Sequence, residues 1–331
     1  MRLRHFLTPA FSWTLIFLLG LEVLLRSSIT LQCWLVRYNT TGVLAPYLYN
    51  THELQRHGNA VKVLLVGDSV PMMAVDARLL AQELGLQPQE VFNFSHGGAG
   101  PASHLYNFKK LRPYLPNLRS VIIFVQYKRL NQVLAHAQTM AEDLTRTDDR
   151  PFLKAWQSGS LTPILQRYSL LLQMAPLIIL RGGAQPFPGF RPKPGGGTTM
   201  QDMIPAAPTL PQQDAWQPNH QAIQDLRNFL MILHEAGLTV RHYLIPYYPQ
   251  FQKEWQMTEE YQAGRQLFAH LAEAGLIESY PDAFQGLAAR LQPHYLDLWH
   301  LTPTGAQIFT QALARHLQEH PLPGIGKPLP P

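Results

Sequence analysis

The sequence predicts an α/β fold built on a doubly wound, mainly parallel sheet. Two observations predict it. The first is a pair of short apolar runs, Val61-Lys-Val-Leu-Leu-Val66 and Val121-Ile-Ile-Phe-Val125, each ended by polar residues. Runs of this length, rich in Val, Ile and Leu, suit strands buried on both faces. The second is rhythm: strand and helix patterns alternate over 60–125 and again over 219–320, as crossovers between parallel strands require. With 331 residues, 46% of them hydrophobic, the chain can bury one large core and still carry an insertion.

Taken in order, Arg2 and Arg4 precede an apolar stretch over 6–25. Its length matches the roughly 20 residues of a membrane span. No small-x-small cleavage site follows, so 1–37 reads as a cytoplasmic tip with an uncleaved signal anchor, leaving the rest outside the cytoplasm. Residues 38–59 are polar and irregular and read as a stalk. The main domain runs over 60–320. After the first strand come a helix over 75–84 stopped by Gly85, a short strand over 91–94, a Gly-rich block, a helix over 102–115 and a strand over 120–125. From about 130 to 213 the rhythm stops: helical segments give way to a stretch crowded with Gly and Pro. This reads as an insertion, either a lid or a solvated loop. The rhythm resumes with a helix over 219–236, a strand over 238–245, a helix over 259–274 and a short strand over 276–279. The last helix, over 306–317, has Thr302 as N-cap and Pro303 in its first turn. The tail over 321–331 is Pro-rich and reads as disordered.

The net charge is +5 and the pI about 9.3. No Lys/Arg-rich run occurs, so nucleic acid is not an expected partner. The excess suits an anionic surface or polymer, or ordinary surface charge. One cysteine excludes an intrachain disulfide. No His, Cys, Asp or Glu cluster has metal-ligand spacing, so no metal or cofactor is expected.

Two stretches carry chemistry. Gly67-Asp68-Ser69 closes the first strand, and chemistry in open α/β sheets sits at the carboxyl ends of strands. Backbone N–H groups at the following helix start suit a developing negative charge. Far downstream, Asp297-Leu-Trp-His300 precedes the last helix. An Asp-x-x-His pair on a loop lets the carboxylate orient the imidazole while the ring faces a serine brought in by the fold. Tyr247 and Tyr248, at the end of the strand over 238–245, read as lining a sugar or acyl site or equally as loop packing, and His96 in the Gly-rich block as touching substrate or as a structural or surface residue. Lys128 and Arg129 end a strand and read as a solvated pair or as groups that meet an anionic substrate; His104 reads as a structural or surface residue, or one that touches substrate, and His242 as packed.

Gly-Asp-Ser near the start and Asp-x-x-His near the end resemble the outer blocks of the SGNH (GDSL-like) hydrolase superfamily. Asn93-Phe-Ser-His-Gly-Gly-Ala-Gly100 is similar to the second block, where a glycine N–H joins the oxyanion hole; Gly98 is the best match and Gly97 its neighbour. The third block, Gly-x-Asn-Asp, is replaced by Gln126-Tyr-Lys-Arg-Leu-Asn131, so Gln126 or Asn131 is the candidate side-chain donor. The resemblance implies Ser69 as nucleophile, His300 as base, Asp297 as its orienter, and the Ser69 and Gly98 N–H groups as oxyanion donors. An acyl-serine would follow. Water as acceptor makes an esterase and a sugar hydroxyl makes an O-acyltransferase, with no cofactor in either. An anchor followed by such a domain resembles the accessory proteins of alginate O-acetylation and of D-alanine transfer to teichoic acids. That implies a membrane, a cell-surface polysaccharide or acylated sugar, and a multi-span membrane acyltransferase as partners. The alternative is a catalytically inactive domain that binds polysaccharide or scaffolds an acylation complex. The two readings part on whether Ser69, His300 and Asp297 meet at hydrogen-bond distance.

Overall fold

The computed structural model describes residues 13, 14, 16–21, 23, 44–132, 190–192, 195–196, 198–200 and 216–325. The chain divides into two compact units, Met1–Leu48 with Thr147–Phe187, and Tyr49–Arg146 with Pro188–Pro331. Within the first, the described residues between 13 and 23 are helical, and Trp13, Ile16, Phe17, Leu19 and Val23 are exposed. Among the described residues no helix is long and apolar enough to cross a membrane. Much of the stretch read as an anchor, 6–25, lies outside those residues, as does most of the insertion over 130–213.

The second unit is built on a parallel sheet. Its strands are β1 (Val63–Gly67), β2 (Val91–Asn93), β3 (Ser120–Phe124), β6 (Thr239–Tyr243) and β7 (Glu278–Tyr280), in the order β2-β1-β3-β6-β7. Every neighbouring pair is parallel. β4 (Phe190–Pro192) and β5 (Thr198–Met200) form a separate antiparallel hairpin. β1 and β3 are buried at every residue, which explains their unbroken apolar composition. One face presents Val63, Leu65, Ile122, Phe124 and Tyr243 to Phe309, Leu313 and Leu317 of the last helix. By alternation the other face carries Leu64, Val121, Val240 and His242, and His242 stacks on Phe268 at 3.8 Å. Helices thus cover both faces, as in doubly wound folds.

The chain leaves β1 outward to β2, then crosses back to β3 on the other side of β1. Such a reversal of direction leaves a crevice at the carboxyl ends of the two central strands. The turn after β1 carries Ser69, and the turn after β3 carries Gln126 to Asn131.

Several expectations are corrected. The helix after β1 starts at Ser69 itself (Ser69–Ala74) and not near residue 75. The Asp68 side chain accepts the Val70 N–H and so starts the helix one residue after the strand. Asp76 then caps a second helix, Ala77–Glu83, through the Arg78 and Leu79 N–H groups. Of the stretch 38–59 read as an irregular stalk, residues 44–57 form a helix, Leu44–His57. Its inward stripe includes buried Asn50 and Thr51 beside Leu54, so the apolar period is masked by polar side chains. Helix Pro249–Gln256 lies between the strand and the helix over 259–274, where no element was expected; Pro249 occupies its first turn. The start of the tail is ordered: Leu322 and Ile325 are buried, and Arg241 donates to the His320 and Pro321 carbonyls. The hairpin from the Gly-rich stretch closes the sheet edge, since the Asn93 N–H donates to the Gly195 carbonyl at 2.8 Å.

Candidate active site

The site grows from two local structures. The first is the β1 turn. Gly67 has no room for a side chain: an added Cβ would fall on Pro71, with the Phe124 carbonyl at 3.1 Å. Asp68 then caps the helix, and Ser69 follows as its first residue. Asn93, fully buried at the end of β2, donates from Nδ2 to the Pro71 and Val75 carbonyls at 2.9 and 3.0 Å. It clamps the short helix that carries Ser69. Nothing in the sequence marked Asn93 beyond its place at the head of the Gly-rich block.

The second is the loop before the last helix. Asp297 Oδ1 accepts the Trp299 and His300 N–H groups at 2.7 and 2.8 Å. Its Oδ2 lies 2.7 Å from His300 Nδ1. A carboxylate only accepts, so Nδ1 carries the proton and Nε2 keeps its lone pair. Nε2 lies 2.9 Å from Ser69 Oγ, whose hydroxyl donates to it. Burial raises the Asp297 carboxyl, but the hydrogen bonds and charge of His300 and the two N–H groups outweigh it and hold the group below its ordinary range. Asp297 is 39% exposed at its side chain and His300 23%, so the row opens to solvent at one end. The fold therefore joins Ser69, His300 and Asp297 in one hydrogen-bonded row across 231 positions of sequence.

The glycine block lies alongside. The His96 N–H donates to the Gly67 carbonyl at 3.2 Å, tying the block to the Ser69 turn. Gly98 turns with φ +73°, a backbone that favours glycine, and is partly exposed. Among the described residues nothing accepts from the Ser69 N–H or the Gly98 N–H. His96 itself is 1% exposed, and burial pushes its imidazole down to about 4. It packs edge-on to Phe94 and does not face solvent.

The turn after β3 differs from the solvated surface expected of it. Gln126 is fully buried; the Tyr247 hydroxyl donates to its Oε1 at 2.6 Å, and its Nε2 has no acceptor among the described residues. Asn131 is also buried, but its amide is spent on Glu260 and on the Gln217 N–H. Arg129 donates to Asp68 Oδ2 at 2.9 Å. Burial raises the Asp68 carboxyl, and the charges of Arg129 and Lys128 with the Val70 N–H bring it below its ordinary range. The Lys128 ammonium sits 3.8 Å from the centre of the Trp299 ring and 5.8 Å from that of Tyr247. Burial pushes Lys128 down to about 8.

Tyr247 is 1% exposed and packs on Trp255, Phe251 and Trp299. It supports Gln126 and Trp299 from behind and presents no face to a ligand. Tyr248 is partly exposed, edge-on to Tyr295, with its N–H donated to the Leu298 carbonyl beside the Asp297 loop. Trp299, passed over in the sequence, is the ring that joins this loop to the β3 turn. Among the described residues no group of three or more His, Cys, Asp or Glu can hold a metal ion. No family model matches the chain, and no curated protein is similar to it.

Proposed function

We propose that this chain is an SGNH-type serine acyl-ester hydrolase or O-acyltransferase that works on cell-surface polysaccharide. The single observation that carries the reading is the Ser69–His300–Asp297 row, with both contacts under 3 Å. A serine hydroxyl is a weak nucleophile until a base takes its proton. His300 Nε2 takes that proton as Ser69 Oγ bonds to the ester carbonyl carbon. Asp297 keeps the ring in the required tautomer and stabilises the imidazolium that forms. The carbonyl oxygen becomes an oxyanion, held by the unspent Ser69 and Gly98 N–H groups. Gln126 Nε2 is the third donor, favoured over Asn131 because the Asn131 amide is engaged with Glu260 and Gln217. As the oxyanion collapses, the alcohol leaves with the proton from His300, and Ser69 keeps the acyl group. A water or sugar hydroxyl, deprotonated by His300, then attacks the acyl-serine and regenerates Ser69.

The apolar stretch over 6–25 anchors the chain with this site outside the cytoplasm. There a multi-span membrane acyltransferase supplies the acyl group. The intact row speaks against an inactive binding domain, which has no use for a bonded nucleophile, base and orienter together.

The test is p-nitrophenol release from p-nitrophenyl acetate by the full chain in detergent, beside Ser69→Ala. The variant is expected to lose activity by up to about 10⁶-fold. A fluorophosphonate should label Ser69 and no other residue, read by peptide mass. Equal activity in both proteins, or no label on Ser69, would sink the serine mechanism.

A further inference from the structure

We propose that Lys128 is the specificity residue of this site, pairing with an anionic group, such as a carboxylate, carried by the substrate. The inference rests on Ser69 being the acyl-accepting residue and adds the substrate's charge class. Lys128 lies between the two halves of the site. Its ammonium caps the Trp299 ring, whose chain neighbour is His300. Its own neighbour Arg129 bonds Asp68, whose neighbour is Ser69.

An ammonium drawn partly out of water is costly unless acceptors replace its lost hydration. The Trp299 face supplies part of that, because a desolvated cation over an indole ring is favourable. It leaves the N–H donors without acceptors among the described residues. Three carboxylates act on Lys128 through space: Asp68, Glu260 and Asp297. Each is already spent at both oxygens. Asp68 holds the Val70 N–H and Arg129. Glu260 holds the Trp255 indole N–H and Asn131. Asp297 holds its own loop and His300. The remaining cation, Arg129, is engaged with Asp68. Among the described residues no carboxylate forms an ion pair with Lys128; Asp68, Glu260 and Asp297 act on it only through space. A structural lysine would be expected to form such a pair. Lys128 is partly exposed, so an incoming group can reach it.

Two arms distinguish where the anion resides, both on the full chain in detergent. On the acyl side, kcat/KM for mono-p-nitrophenyl succinate is divided by that for p-nitrophenyl acetate. On the acceptor side, calorimetry compares binding of trigalacturonate with that of maltotriose. In at least one arm the anionic-to-neutral ratio should fall about 10–100-fold in Lys128→Met. Lys128→Arg, which keeps the charge, should restore most of it. Ratios unchanged by Lys128→Met in both arms would overturn the assignment. If Lys128→Met does not fold, the wild-type ratios decide: they must fall as salt rises, and ratios flat in salt overturn it equally. If the wild type cleaves no ester, the serine mechanism fails and the binding arm alone decides Lys128: a trigalacturonate-to-maltotriose ratio that Lys128→Met leaves unchanged then overturns the assignment.

Discussion

The loop carrying Asp297 and His300 and the turn after β3 both meet the Asp68–Ser69 turn, and they are held in different ways. The Asp297 loop makes its own framework. Its carboxylate bonds two N–H groups and one ring within three residues of itself. The β3 turn makes almost none of its side-chain bonds locally. Arg129 reaches Asp68 across 61 positions, Gln126 meets Tyr247 across 121, and Asn131 meets Glu260 across 129. A self-contained loop can hold a reacting geometry wherever the fold sets it down. A turn held by distant partners depends on the whole second unit being folded. The site therefore draws its proton-transfer chemistry from a local motif and its electrostatic surroundings from tertiary structure.

The largest expected effect comes from breaking the local half. In Asp297→Asn, the side-chain oxygen can still accept the two loop N–H groups, so the backbone stays in place. The amide nitrogen then faces His300 Nδ1 and donates to it, which moves the ring proton to Nε2. Nε2 can no longer accept from Ser69. Ester hydrolysis should fall about 10⁴-fold with the melting temperature nearly unchanged. A loss below tenfold would mean that the loop only positions His300 and that its tautomer is set elsewhere.

The tertiary half should show the opposite balance, in stability first. Arg129→Ala leaves the Asp68 carboxylate buried without its cation, a change that costs about 3–5 kcal/mol in buried pairs. Urea unfolding measures it. The sign with pH follows from the direction of the shift. The Asp68 carboxyl lies below its ordinary value of 3.8 in the folded chain. Its contribution is therefore fully present above that value and is lost as pH falls through the folded value. Without Arg129, burial raises the carboxyl, so acid unfolding of Arg129→Ala should begin at a higher pH than in the wild type. Adding Asp68→Asn to Arg129→Ala should recover part of the loss. If the double variant is no more stable than Arg129→Ala, the unpaired charge is not the cause.

The same division governs what could be read from sequence. β1 and β3 declare themselves because burial on both faces leaves no polar position in Val63–Val66 or Val121–Phe124. Thr302 and Pro303 mark the last helix by capping chemistry alone, and Asp297 and His300 stand at a spacing that one turn of loop can use. These are local signals. The pairings of Lys128, Arg129 and Gln126 leave no local trace, because each partner lies on another strand, helix or loop. So Lys128 and Arg129 read as solvated or as meeting an anionic substrate, and Tyr247 as lining a site or as loop packing, of which the fold makes it packing. The helix Leu44–His57 was hidden for another reason: its inward stripe runs through Asn50 and Thr51.

Gln126 sharpens the comparison most finely, because it belongs to the tertiary half and is asked to do chemistry. Its amide is fixed at one end by the Tyr247 hydroxyl, leaving Nε2 without an acceptor among the described residues at the end of β3. An oxyanion donor is worth about 10²–10³ in kcat when removed, because it acts where charge develops and not on the bound ester. Gln126→Leu should lower kcat by that factor with KM little changed. Tyr247→Phe removes only the bond that fixes the amide, so its loss should be smaller and should appear in the same constant. A purely structural Gln126 would act through folding: both variants would lower the melting temperature together, and the fraction of active protein would fall at constant kcat per labelled Ser69. Counting active sites by fluorophosphonate label separates the two. A normal kcat per labelled site in Gln126→Leu would leave the oxyanion to the Ser69 and Gly98 N–H groups alone.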